Sequence, residues 1–307
     1  MSRLMTAAVL TRHGDLDALE VRRDWPVPTP GPEEVLVRVT ATAVNNTDVW
    51  TREGAYGLSG KPDALAGWRG PLSFPRVQGG DIAGEIVATG SDVPERMVGQ
   101  RVVVDPALYL DERPSAPPVG LLGSEADGGF AEYVAVPASQ AHDVSDSPLS
   151  DEQLACLPIA YGTAMGMLVR VNLHAGESVL VTGASGGVGL AFVHLAVARG
   201  ATVLALTSSS KADELLDAGA SQVVVRDRGT VAEQVTEATR QGLDAVADVA
   251  GGPWIEQLMP LSSRESLDVT RWRTSTMRSG SSCRVGTSAR SSSRPDERAP
   301  ACTPVRD

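Results

Sequence analysis

Cysteine is scarce in this chain of 307 residues: Cys156, Cys283 and Cys302 are its full complement. Three such widely spaced thiols form neither a disulfide framework nor a CxxC pair, so bridges do not hold this fold together. Histidine is thin as well. His13, His142, His174 and His194 are scattered, as surface or helix-packing residues are, and do not cluster as metal ligands would. Lysine is nearly missing, with Lys61 and Lys211 alone, while arginine is common, a bias expected of a GC-rich coding sequence. Positive charge is in deficit: 27 basic against 38 acidic side chains leave a net charge of −11, which argues against non-specific nucleic-acid binding. The N-terminal apolar run, residues 4–10, is too short to cross a membrane and lacks the flanks of a signal peptide. These absences leave a cytoplasmic protein with no nucleic-acid and no membrane partner. Its length gives room for two domains and a sizeable core.

What the chain does have is one dense signal. Glu177-Ser178-Val179-Leu180-Val181-Thr182 is a short apolar run rich in valine, and it stops at Gly183-Ala184-Ser185-Gly186-Gly187-Val188-Gly189. A helical apolar pattern follows to Arg199. Strand, tight turn, helix is the opening of a dinucleotide-binding βαβ unit. Gly186 lets backbone approach a pyrophosphate, and Gly189 lets the helix lie close to the strand. The helix start offers unpaired N–H groups and a positive dipole end. The first glycine of the usual pattern is Ala184 here. About twenty residues on, a cofactor with a free ribose 2′-hydroxyl usually meets an acid. The segment Thr207-Ser208-Ser209-Ser210-Lys211 holds none, and its hydroxyls and lysine suit a 2′-phosphate. The plainer reading is that Ser208 or Ser210 caps the next helix. The two are compatible, because a capped helix start is also a phosphate site.

Residues 1–148 read as a β-rich domain. Strands are expected at 6–10, 34–43, 83–87, 101–104 and 130–136, with long loops at 58–75 and 106–129. Ser150 and Gln153 form a capping-box pattern that opens a helix running toward Arg170. Residues 149–260 then alternate: strand 179–182, helix 188–199, strand 202–207, helix 211–218, strand 222–225, helix 230–240, strand 244–249. The alternation implies an α/β fold with a parallel Rossmann-type sheet covered on both faces. From 261 to 307 the periodicity fails and Ser, Arg, Pro and Gly dominate. An irregular tail is expected there, either disordered or the product of a reading-frame shift, with the Rossmann domain left incomplete.

The motifs Ala43-Val44-Asn45-Asn46-Thr47-Asp48, Gly79-Gly80-Asp81-Ile82-Ala83-Gly84-Glu85, Val98-Gly99-Gln100-Arg101-Val102 and Gly128-Gly129-Phe130-Ala131-Glu132-Tyr133 precede the glycine turn in that order. In combination the chain resembles the medium-chain dehydrogenase/reductase superfamily, in its zinc-independent, quinone-oxidoreductase-like branch. The resemblance spans residues 1–260. It implies a GroES-like catalytic domain, a Rossmann domain, a cleft between them and a homo-oligomer. Zinc-dependent relatives carry Cys at the position of Asn45, His at that of Gly80, and Cys or Asp near Ile159. Asn, Gly and Ile cannot supply the three ligands a catalytic zinc needs, so no metal is expected.

The resemblance implies NADPH-dependent hydride transfer to a quinone or an activated enone, a small-molecule substrate. Asn45, Asp48, Tyr56 and Thr163 are the catalytic candidates. Asn45 can donate through its amide, Asp48 orients backbone or a ribose hydroxyl, and Thr163 matches a position near the nicotinamide. An Asx-type cap is an equally good reading of Asn45 and Asp48. Trp50 and Tyr56 are expected to line a pocket and Phe74 to join the core. Val249 and Ala250, at the end of the last strand, join the cofactor set. The competing readings are an alcohol-dehydrogenase relative keeping only the fold, and a non-catalytic or damaged dinucleotide-binding protein.

Overall fold

A computed structural model describes residues 3–239 apart from 112, 114 and 115, together with 242–251, 257–262 and 267–268. The β-rich half is built on one antiparallel sheet. β3 (Glu34–Ala43) lies between β5 (Asp81–Thr89) and β9 (Tyr133–Pro137); β6 (Arg101–Val104) and β10 (Ala141–Asp143) extend it beyond β5. Alternation along β3, β5 and β6 sends Val35, Val37, Ile82, Ile86, Val102 and Val104 into one core. A smaller sheet joins β1 (Leu4–Leu10), β2 (Leu19–Pro26) and β4 (Arg76–Val77). An isolated bridge, Ala7 to Ala131, ties it to the larger sheet's loops.

The α/β half is a five-stranded parallel sheet. Its order runs β13 (Gln222–Val225), β12 (Thr202–Thr207), β11 (Ser178–Thr182), β14 (Ala245–Asp248) and β15 (Leu267–Asp268). Connections leave β11 on both sides, so the order reverses between β11 and β14. In such sheets the crevice at that reversal, outside the C-terminal strand ends, is where ligands bind. The helix α4 (Gly187–Ala198) follows β11 and buries Ala191, Phe192, Val193 and Ala196 completely. Full burial of one large apolar side chain contributes about 1.5–3 kcal/mol. The helices α5 (Ala212–Asp217) and α6 (Val231–Ala238) complete the crossovers.

Four local expectations change. The single helix expected from 150 is two, α2 (Asp151–Ala155) and α3 (Pro158–Val171). Pro158 has no N–H to continue α2, but its fixed φ suits the first turn of α3. The Ser150–Gln153 capping box does form. The stretch 106–129 holds a hairpin, β7 (Ala107–Tyr109) with β8 (Pro118–Leu121). Residues 46–53, for which no element was expected, form the helix α1 (Asn46–Glu53). Within 261–307, expected to be irregular, Leu267 and Asp268 pair in parallel with Ala247 and Asp248. The rest of the tail expectation lies outside the described residues, as does most of the helix-like piece 253–259.

Candidate functional site

The glycine turn sits at the strand-order reversal. Gly183 takes the left-handed conformation, φ 58°, that a turn directly off β11 demands. At Gly189, a Cβ would stand 2.2 Å from the Gly183 carbonyl oxygen and 2.8 Å from Ala184 Cα. Its glycine is therefore a packing requirement of helix against strand. Gly186 differs. Its φ of −85° and ψ of 167° suit any residue, and a Cβ there would meet only the Gly183 oxygen, at 3.4 Å. The protein leaves that volume open where α4 begins. Gly187 is as open, with Ala160 Cβ at 3.9 Å. Exposed N–H groups, a dipole end and a space that a side chain would fill fit a dinucleotide pyrophosphate.

The floor of the crevice is a polar knot that sequence reasoning missed. Thr182 Oγ1 donates to Asp248 Oδ1 and accepts from the backbone N–H of Val249 at 3.0 Å and of Ala250 at 3.3 Å. Asp248 Oδ1 also accepts from Gly251 N at 3.1 Å. Both side chains are buried, and Asp248 Oδ2 has no hydrogen-bond partner among the described residues. Strand register forces the meeting, because Thr182 and Asp248 are opposed residues of β11 and β14. The knot fixes Val249 and Ala250 beside the turn: a Cβ on Gly183 would touch Ala250 Cβ at 3.2 Å.

At the end of β12, Thr207 Oγ1 donates to Ser185 Oγ at 3.2 Å, so the serine segment adjoins the glycine turn. Ser208 and Ser210 share a hydrogen bond of 3.1 Å, and Lys211 Nζ donates to Glu214 Oε2 at 2.8 Å. Ser208 is the residue flanking a short 3-10 turn, and no side-chain cap forms there. One expectation needs correction. The segment 207–211 contains no acid, but the fold brings one to it. Asp227, past β13, accepts from Ser209 Oγ at 2.8 Å and from Ser209 N at 3.2 Å.

The β-rich half contributes a second cluster. Asn45 stands just before α1 with extended backbone, and its N–H donates to Asp48 Oδ2 at 2.7 Å. Asp48 is buried and also accepts from the backbone N–H groups of Gly79 and Gly80. It is a cap that welds α1 to the Gly79–Gly80 turn. Asn45 Nδ2 donates to Asp81 Oδ2 at 2.7 Å, and Asp81 Oδ1 accepts from Ile159 N at 2.8 Å. A Cβ on Gly80 would strike Ile159 Cδ1 at 2.7 Å. Positions 45, 80 and 159, far apart in sequence, are thus brought together. They carry an amide, a hydrogen and a branched alkyl group, which do not fit a catalytic zinc. Among the described residues no group of three or more His, Cys, Asp or Glu could hold a metal ion. Burial pushes the Asp48 and Asp81 carboxyls up to about 6 against hydrogen bonds that lower them, and the Asp48 charge raises Asp81 further. Asp81 was not singled out from sequence; its place in the Gly79-Gly80-Asp81 motif was the available signal.

The remaining candidates are less converged. Tyr56 hydroxyl shares a short hydrogen bond with Thr47 on α1, and its ring meets Trp50 edge-on at 6.1 Å. Phe74 is half-buried and packs edge-on against His13 at 4.9 Å. Thr163 is half-buried on α3, two residues from Tyr161. The Tyr161 hydroxyl hydrogen-bonds His194 on α4 at 2.8 Å, so His194 is a helix-packing residue. His13 hydrogen-bonds the Thr51 carbonyl at 3.0 Å, at the end of α1.

Comparison with known proteins agrees with this architecture. Residues 31–146 match the alcohol dehydrogenase GroES-like domain, and residues 187–264 match the zinc-binding dehydrogenase family. The chain is 31% identical to a quinone oxidoreductase of Rattus norvegicus, over 80% of this chain and 67% of that one. It is 32% identical to the chloroplastic NADPH-dependent alkenal/one oxidoreductase of Arabidopsis thaliana, over 69% of this chain and 50% of that one. A Sinorhizobium meliloti 1021 protein solved as a candidate alcohol dehydrogenase superposes with a TM-score of 0.81 at 46% identity, covering 85% of this chain and 73% of that one. The chain thus spans one half to two thirds of the length of these two curated relatives. No helix among the described residues is long and apolar enough to cross a membrane.

Proposed function

The chain belongs to the medium-chain dehydrogenase/reductase superfamily, in its quinone-oxidoreductase-like branch, and from that premise we propose that it is an NADPH-dependent, zinc-independent reductase of quinones or activated enones. The observation that carries the reading is the open volume at Gly186, set at the strand-order reversal and at the start of α4. Gly183, Ala184, Ser185, Gly186, Gly187, Val188 and Gly189 form the pyrophosphate cradle. Ser208, Ser209 and Lys211 take the 2′-phosphate. Val249, Ala250 and Thr163 face the nicotinamide half. The Lys211–Glu214 pair is exposed on both sides, and such pairs contribute at most about 1 kcal/mol. Lys211 therefore exchanges Glu214 for a phosphate at little cost.

The bound nicotinamide supplies a hydride to an electron-poor carbon. The protein's part is placement. Asn45 has two amide N–H groups, of which Asp81 engages one. The other is the donor assigned to a substrate carbonyl oxygen. No protein acid is needed, because the hydroquinone anion or enolate left by hydride transfer takes its proton from water. In place of a Lewis acid, Asn45 polarises the carbonyl weakly, which restricts the substrates to those already electron-poor. The names of the rat and Arabidopsis proteins support this substrate class.

The test is a pair of titrations with NADPH and NADH, on the intact chain and on Lys211→Ala. The substitution is expected to weaken NADPH about ten- to 150-fold, the range of one hydrogen bond involving a charged group, with NADH nearly unchanged. Equal affinity of the intact chain for both cofactors refutes the NADPH assignment.

A further inference from the structure

The carboxylate of Asp227 occupies both donors of Ser209, the residue at the centre of the serine segment. Its position is built, not incidental. Arg226 N donates to the Thr207 carbonyl at 3.0 Å, which fastens the chain after β13 to the end of β12. Arg228 N closes a turn onto the Val225 carbonyl at 3.1 Å. Gln234, on α6, clamps the same turn: its Oε1 accepts from Val225 N at 2.9 Å, and its Nε2 donates to the Val225 carbonyl at 2.9 Å and to that of Arg228. Asp227 is thereby delivered to Ser209 by a pinned turn. Hydrogen bonds from Ser209 hold its carboxyl below the ordinary carboxylate range, with a smaller contribution from Arg226. The group is an anion at neutral pH.

We propose that Asp227 is a specificity-determining residue that limits this chain's preference for NADPH over NADH. The inference rests on the cofactor site assigned above. A 2′-phosphate needs hydrogen-bond donors and no adjacent anion. At Ser209 it finds both donors already given to a carboxylate, and it must displace that carboxylate against like-charge repulsion. A free 2′-hydroxyl meets the opposite situation, since it can donate to the same carboxylate. The serines and Lys211 therefore favour the phosphorylated cofactor while Asp227 opposes it, and the two act on one ribose. An acid just after the second strand is the usual source of such discrimination. Here it comes from the end of the neighbouring strand, so the sequence segment looks free of acid.

The test is the ratio of the dissociation constants for NADPH and NADH, measured by titration of the full chain and of Asp227→Asn. Asparagine keeps the size and one acceptor and removes the charge. NADPH binding is expected to tighten about tenfold, with NADH unchanged or weaker. The gain should shrink as salt rises from 0.05 to 0.5 M, roughly as screening of exposed charges dictates, a response that a structural effect does not give. In a Ser209→Ala background the gain should be smaller, because the freed hydroxyl is gone while the backbone N–H and the relief of charge repulsion remain. An Asp227→Asn protein that binds both cofactors with an unchanged ratio overturns this inference alone. A wild type that prefers NADH but shifts toward NADPH on substitution upholds it while the NADPH assignment fails. Folded protein that binds neither cofactor overturns both.

Discussion

Gly186 and Gly189 lie three residues apart in one turn, and the structure assigns them opposite roles. At Gly186 a valine adopts φ −85°, ψ 167° without strain, and its Cβ meets nothing nearer than 3.4 Å. Gly186 flanks the start of α4, where a branched apolar residue caps worse than glycine, by about 0.5–1.5 kcal/mol. Against that, losing a glycine restricts the unfolded chain and stabilises by about 0.4–1 kcal/mol. The two effects nearly cancel, so Gly186→Val should keep its stability within about 1 kcal/mol. Its methyl groups fill the volume assigned to the pyrophosphate, and loss of even one charged hydrogen bond there weakens NADPH by about ten- to 150-fold. Gly189→Ala reverses the pattern. Its Cβ would lie 2.2 Å from a backbone oxygen that cannot swing aside. Overpacking of this kind costs about 1–3 kcal/mol. At about 2–4 °C per kcal/mol, melting should fall by about 2–12 °C. Thermal unfolding and NADPH titration on the two variants separate the roles. A folded Gly186→Val that keeps wild-type NADPH affinity refutes the assignment of the cradle. An undiminished melting temperature in Gly189→Ala refutes the packing account.

Thr182→Val should destabilise by about 3 kcal/mol or more, because it strips a partner from Asp248 and from two backbone N–H groups at once; chemical denaturation reads this. Asp48 and Asp81 carry raised folded-state pKa values of about 6, so the folded chain retains protons that the unfolded chain releases. Their contribution is present in acid and is lost as pH rises from about 4 to about 6, by about 3 kcal/mol per group. Asp81→Asn should therefore flatten the dependence of stability on pH in that window, and an unchanged slope contradicts the assignment. Elemental analysis should find less than one zinc per chain, because Asn45, Gly80 and Ile159 cannot bind it.

The parallel sheet was legible because its signal is local. Valine-rich runs, a glycine turn and amphipathic crossovers place β11 to β14 within a residue or two of their expected bounds. In the β-rich half, β2 and the hairpin of β7 and β8 were not legible. Their partners are close in sequence, but the strands carry little periodic signal: β7 and β8 are only three and four residues long, and β2 alternates little, with most of its residues exposed. The glycine turn could be read directly as the joint between a strand and a helix, and it forms between β11 and α4. The carboxylates could not. Asp81, Asp227 and Asp248 each act on a residue at least 18 positions away, Asn45, Ser209 and Thr182 respectively. An aspartate at a strand end reads as a turn residue until register and crossover show what it faces. Asn45 and Asp48 could be read as cap or as catalytic pair. The structure places Asp48 in the capping role and leaves Asn45 tied to Asp81.

Hydride transfer from NADPH to an electron-poor acceptor without metal is measured by steady-state oxidation of NADPH by a simple quinone in excess chelator. Turnover should be faster with NADPH than with NADH, unaffected by the chelator, and reduced in Asn45→Ala. Absence of turnover in protein that binds NADPH, or activity that the chelator removes and zinc restores, contradicts the account.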